Sequence, residues 1–200
     1  MLEIIHTWAP LALSIIMLAT FVLRTLWVAK TTGENPNKLG YDDSIMGLCG
    51  RSYMRLTMLI AALIALRLFV PNVESYLGPI APMKQDAIIW LGFYTSLTGL
   101  LFAVYAQIAM ATSWRIGIPD DKPGELVSSG PFGLSRNPFF LGSFVFYCGM
   151  FMIMPNALTA VVISGIYLTL NVQIREEEKF LSASLGAPYD AYKAKVRRWI

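Results

Sequence analysis

Charge is scarce in this chain: of its 200 residues only 14% are Asp, Glu, Lys or Arg, against about 25% in ordinary globular proteins. So little polar surface cannot solvate a water-soluble fold of this length, and a soluble domain is excluded before any motif is considered. Histidine occurs once, as His6, and cysteine twice, as Cys49 and Cys148. No His or Cys cluster has ligand spacing, so no metal site is expected. The two cysteines fall in an interfacial segment and in an apolar run, too far apart in depth to bridge, and both read as buried small residues. Internal repeats and low-complexity tracts are lacking too. The formal net charge of +3 is modest and the basic residues gather in particular loops; this argues against a nucleic-acid partner and for anionic lipid headgroups.

What the chain has instead is apolar length. Hydrophobic residues make up 56% of it, and the mean hydropathy is +0.55. A spanning helix needs about 20 mostly apolar residues, and five segments meet or approach this: Ala9 to Ala29, Tyr53 to Val70, Ala87 to Thr112, Phe139 to Met154, and Asn156 to Val172. The expected fold is therefore all-α, a single integral membrane domain over residues 1–200. Three spans lie within 1–112; a loop, a helical hairpin and a terminal segment fill 113–200. The first segment lacks a basic n-region and an obvious cleavage site, so it is expected to remain as a span. Pro155 and Asn156 alone separate the last two spans, a pairing that stops a helix and turns the chain sharply. Thr31 to Asp43 and Gly117 to Gly133 read as loops, the second long enough to cover something.

Lys and Arg sort by face. Lys30, Lys38 and Arg51 fall in or beside the first loop, Arg115, Lys122 and Arg136 in the third, and Arg175, Lys179, Lys193, Lys195, Arg197 and Arg198 in the tail. Little beyond Lys84 and Arg67 opposes them. The third loop and the carboxy-terminal tail are thus expected in the cytoplasm and the amino terminus outside. Arg24, Arg55 and Arg67 sit near span ends, where snorkelling to the interface is expected.

Polar residues that packing does not require concentrate in Ser129 to Gly142 and in Arg175 to Tyr192. A turn at Pro155 brings the two together: Arg136 lies 19 residues before it (155 − 136) and Glu177 lies 22 after it (177 − 155). At about 1.5 Å per residue the two reach similar depth on one face. Gly130, Pro131 and Gly133 precede a helix that opens near Pro138, where free backbone N–H groups suit an anion and Arg136 adds a charge-assisted bond. Glu176, Glu177 and Glu178 follow one another at the far end of the last span, where acidic residues oppose the helix dipole. Successive helical residues point about 100° apart, so at most one or two of the three face one pocket.

Ser129-Gly130-Pro131-Phe132-Gly133-Leu134-Ser135-Arg136-Asn137-Pro138-Phe139-Phe140-Leu141-Gly142 is followed, after one hairpin, by Glu177-Glu178-Lys179-Phe180-Leu181. Leu185-Gly186, Tyr189, Tyr192 and Val196-Arg197-Arg198-Trp199-Ile200 come next. This ordered set resembles the signature of the isoprenylcysteine carboxyl methyltransferase family and its phospholipid methyltransferase relatives, over roughly the carboxy-terminal 90 residues. Ser113-Trp114-Arg115-Ile116-Gly117 resembles a pattern common in bacterial members. The resemblance implies a membrane methyltransferase that uses S-adenosylmethionine on a lipophilic small-molecule or lipidated acceptor, a carboxylate, thiol or amine. Carried onto matching positions, Gly130, Arg136, Asn137, Pro138, Leu141, Gly142, Glu177, Tyr189 and Tyr192 would bind the cofactor. Arg136, Glu177 and Glu178 would act on the reaction itself: Arg136 as an anion anchor, the glutamates on the ribose or on the geometry of the acceptor. The chain departs from the family pattern at Asn137, where His is usual, and at Phe140, where Tyr is usual. Without a histidine base, a carboxylate or thiolate acceptor is served by lone-pair displacement alone, whereas an amine would need a glutamate such as Glu178. Sterol reductases resemble the same half, so an NADPH-dependent membrane reductase is one alternative and a non-enzymatic membrane scaffold another.

Overall fold

A computed structural model describes residues 2–38, 44–70, 72–117 and 126–200. Parts of the loops expected over Thr31 to Asp43 and Gly117 to Gly133, Lys122 included, lie outside these. The described residues form seven α-helices: α1 Leu2–Thr7, α2 Ala9–Thr32, α3 Ile45–Phe69, α4 Asp86–Ala109, α5 Pro138–Ile153, α6 Ala157–Leu185 and α7 Ala187–Lys195. The helices α2, α3, α4 and α6 are long and apolar enough to cross a membrane. At 16 residues α5 is shorter; its length of about 24 Å falls short of the roughly 30 Å hydrocarbon core. The molecule is an integral membrane protein, and α3 begins eight residues before the expected Tyr53 because Ser44 caps it, its hydroxyl accepting from Gly47 N at 3.0 Å.

The tightest seam joins α4 and α5. Small residues repeat at alternating steps of four and three along α4, at Gly92, Ser96, Gly99, Ala103 and Ala106, all buried. Along α5 the same steps give Gly142, Phe146, Gly149 and Ile153. Between lipid-facing helices there is no hydrophobic drive to associate, so close backbone approach and van der Waals contact must hold them. The approach is close: a Cβ added to Gly142 would lie 2.6 Å from Ala103 N. Ser96 Oγ donates to Phe146 O at 3.2 Å across the seam.

The turn at Pro155 forms as expected. Asn156 caps α6, its side chain accepting from Thr159 N at 2.9 Å while Thr159 Oγ1 accepts from Asn156 N. Yet α5 and α6 are not each other's main partners: α5 packs chiefly on α4, and α6 on α3. The hairpin splays because the glycine seam claims α5, while α6 turns its stripe of Val162, Ile166 and Leu170 into the core shared with Ile60 and Ile64 of α3. Space opens between the far ends of α5 and α6.

Beyond the spans, two ends of the bundle are distinct. At one, Ile80 N donates to Pro155 O at 3.0 Å, and Arg67 pairs with Glu74 at 2.5 Å. Arg67 also donates to His6 O at 3.0 Å; rather than snorkelling, it ties α1 to α3. At the other end the chain after α2, the chain between α4 and α5, and the tail after α6 come together. With 29 residues α6 runs about 43 Å, so its last turns project past the hydrocarbon at this end.

Candidate active site

At that second end lies a cleft, open on one side and bounded by α2, the segment after α4, the start of α5 and the end of α6. One wall is aromatic: Trp114 meets Phe21 edge-on at 5.7 Å and Phe139 at 4.8 Å between ring centroids. The indole of Trp114 is buried and donates to Thr25 Oγ1 at 3.3 Å. Phe21 stands 11 residues before the end of α2 at Thr32 (32 − 21), about 16 Å along the axis. The cleft therefore runs from charged loops down to the level of lipid tails.

Two tethers turn Trp114 and Arg115 into it. Arg24, whose guanidinium lies 4.3 Å over Trp27, donates to Ala111 O at 2.5 Å. Ala111 holds a φ of +46°, a left-handed conformation costly for an L-residue, and the arginine secures the turn it makes. Downstream, Ile116 N donates to Pro36 O at 2.9 Å and Lys38 N donates to Ile116 O at 2.8 Å. Arg24, expected to snorkel, is thus a fastener of the cleft rim.

The opposite rim is a knot of charge. Arg136 Nε and Nη2 donate to Glu178 Oε1 at 3.0 and 2.8 Å, and its Nη1 donates to the carbonyls of Lys193 and Val196 at 3.0 and 2.8 Å. Arg198 closes on the other carboxylate oxygen, Nη2 to Oε2 at 2.6 Å. The tail is strapped to the loop by backbone as well: Arg136 N donates to Arg197 O at 3.0 Å, and Ser135 Oγ to Arg198 O at 3.0 Å. Asn137 Nδ2 also donates to Arg198 O, at 3.3 Å. The bond to Glu178 holds the Arg198 guanidinium above its ordinary pKa. Nearby, Tyr192 donates to Phe132 O at 2.7 Å; burial pushes its hydroxyl up to about 12, with Arg136 opposing and Glu178 assisting. Burial raises Tyr189 likewise.

Of the residues singled out in the sequence, Arg136, Asn137, Pro138 and Glu177 line the cleft together. The others sit apart from it. Gly142 is in the α4 seam, and Gly130, at φ +61°, backs onto Tyr105. Leu141 is half-buried on α5, Glu178 is inside the knot, and Tyr189 and Tyr192 pack on each other at 6.0 Å in α7. The cleft adds Phe21, Arg115, Phe139, Phe140 and Gln173, and the knot adds Arg198. The Trp114-Arg115 motif signalled part of this; nothing local marks Phe21 or Gln173, which are ordinary span residues by composition. Arg115 is half-buried and interacts with Glu177 through space; desolvation lowers its pKa and the glutamate opposes the shift. Among the described residues neither side chain of this pair makes a hydrogen bond or an ion pair.

Fold and cleft define a polytopic membrane protein with an open cleft, polar at its rim and aromatic along one wall, at one face. The sequence model of the phospholipid methyltransferase family matches residues 87–187, just over half of the chain, and the chain belongs to that family. It is an integral membrane methyltransferase. Protein-S-isoprenylcysteine O-methyltransferase of Saccharomyces cerevisiae is 28% identical over 176 residues, covering 83% of this chain and 70% of the yeast protein. No solved structure matches.

Proposed function

We propose that the protein methylates a lipophilic acceptor with S-adenosylmethionine inside this cleft. One observation carries the proposal: a single hollow joins a charged mouth, where Arg115, Asn137 and Glu177 gather, to an aromatic wall reaching lipid depth at Phe21. A polar nucleoside and an apolar acceptor can meet there without either crossing the other's medium. The residues fit the donor. A carboxylate and a guanidinium that have no bonded partner among the described residues await polar groups, and the amides of Asn137 and Gln173 supply donors and acceptors. When bound, the cofactor supplies an electrophilic sulfonium methyl.

The chain's own part is to orient and to exclude water. Glu177 and Asn137 hold the polar part of the donor. Arg136 and Glu178 act one step back, keeping the tail and the Ser135 to Asn137 loop in place as a rigid rim. The walls of Phe21, Trp114, Phe139 and Phe140 exclude water and guide the acceptor. With Glu177 engaged by the donor, the remaining polar lining of Asn137 and Gln173 does not titrate, which favours an acceptor that arrives with its own lone pair, a carboxylate or thiolate, over an ammonium that must first lose a proton. The similarity to a yeast enzyme named for isoprenylcysteine points the same way, toward a lipidated acceptor. The cleft end of the bundle, which carries most of the Lys and Arg, faces the cytoplasm and the amino terminus lies outside.

Calorimetry on the detergent-purified protein tests the donor: S-adenosylhomocysteine should bind saturably, and no heat at any concentration overturns the assignment. Lipophilic extracts of cells fed labelled methionine should hold a labelled species that vanishes with Glu177→Gln.

A further inference from the structure

Besides Arg24, which fastens the turn at Ala111, three arginines stand around the cleft and its rim, and they are not equivalent. Arg136 and Arg198 are consumed by Glu178 and by tail carbonyls. Arg115 is not: half-buried, it lines the cleft and has no hydrogen-bonding partner among the described residues. Glu177 faces it from α6 in the same condition. The pair interacts through space yet does not close to an ion pair. Two half-buried charges of opposite sign, each stripped of part of its water and neither given a bond in return, cost stability. Such a cost is recovered when a ligand supplies both missing partners. The ligand must carry a cation and an anion a few ångströms apart, as an α-amino acid does with its ammonium and carboxylate on one carbon.

We propose that Arg115 receives the carboxylate, and Glu177 the ammonium, of the amino-acid end of the methyl donor. This rests on the donor reading above and deepens it by naming the groups that recognise the zwitterion. A guanidinium suits the carboxylate because its planar fork can donate two parallel N–H bonds. The arrangement also sets the donor's direction. With its zwitterionic end fixed between the segment after α4 and the end of α6, the nucleoside is left to Asn137, Gln173 and the aromatic wall.

Two probes separate the ends of the donor: S-adenosylhomocysteine, and 5′-methylthioadenosine, the same thioether nucleoside without the amino acid. Their affinities are measured by calorimetry on the full chain in detergent, with the thermal midpoint of each variant read alongside. Arg115→Ala should weaken S-adenosylhomocysteine by about tenfold to a hundredfold, leave methylthioadenosine within about twofold, and keep the midpoint. Arg115→Lys should recover part of the loss, since it restores charge without the fork. Glu177→Gln should give the same selective loss, which keeps the proposal testable should Arg115→Ala not fold. An unchanged S-adenosylhomocysteine affinity in these variants, or equal loss of both probes, overturns the proposal. A wild-type protein that binds neither probe overturns the donor reading itself, an outcome separable from the first two.

Discussion

Glu178 accepts hydrogen bonds from two arginines and is 5% exposed, whereas Glu177, one residue earlier and turned about 100° around α6, faces the cleft with no bonded partner among the described residues. Two side chains of identical chemistry on adjacent positions are thus divided between the charge knot and the open cleft. The division comes from what each meets: Glu178 points at the tail and the Ser135 to Asn137 loop, Glu177 at the hollow left where α5 and α6 splay. Chemically attractive residues near a site are not all for the ligand; those whose hydrogen-bonding capacity is already filled hold the walls.

The sharpest way to break this contrast is Glu178→Ala. It strands Arg136 and Arg198 together without their anion, and removing one member of a buried charge cluster costs about 3–5 kcal/mol. Thermal unfolding in detergent should show the loss. Retained stability would mean the knot is not structural. Arg198→Ala should cost less, about 1–2 kcal/mol, because that side chain is 30% exposed and Arg136 remains to hold the carboxylate. Glu177→Gln should do the reverse of Glu178→Ala, leaving the unfolding midpoint nearly unchanged while S-adenosylhomocysteine affinity falls about tenfold or more. Should the two glutamate variants unfold alike, the contrast collapses.

Alkali probes the same rim more gently. Tyr192 titrates near 12 in the fold against an ordinary 10. For a group whose folded pKa is raised, its stabilising contribution is full below the unfolded value and is lost as pH rises through the folded one. Stability should therefore decline between pH 10 and about 12, and Tyr192→Phe should flatten that decline. The smallest effect belongs to Lys179→Ala. Its ion pair with Glu176 is a 2.6 Å contact, but the lysine is 72% exposed, so less than about 0.5 kcal/mol is at stake.

Much of the fold was legible because bilayers impose simple rules. Apolar length fixed the spans, and Pro155-Asn156 fixed the turn with its capping Thr159. The choice of helix partners was harder. The four-and-three spacing of Gly92, Ser96, Gly99 and Ala103 was written in the sequence as a packing face, but that α5 rather than α6 would meet it depends on matching shapes far apart in the chain. The cleft was legible where signals were local, at Arg136, Asn137, Pro138 and Glu177. It was opaque where a side chain's role depends on whether something distant has already bonded to it. Arg115 and Arg136 look alike in a sequence; only Lys193, Val196 and Glu178 make one of them busy. The same holds for Gly142, a natural cofactor-contact candidate whose lack of a side chain serves Ala103 across the seam.

The strap of Arg197 and Arg198 across Ser135 to Asn137 joins positions some 60 residues apart, and that has a consequence for biogenesis. As the chain leaves the ribosome, α2 to α5 can insert and the glycine seam can close while the strap is still unmade. Until then Arg136 must be solvated by water or headgroups, and one rim of the hollow is missing. Membrane insertion and completion of the cleft rim are therefore separate events in time, the second waiting on translation of the strap.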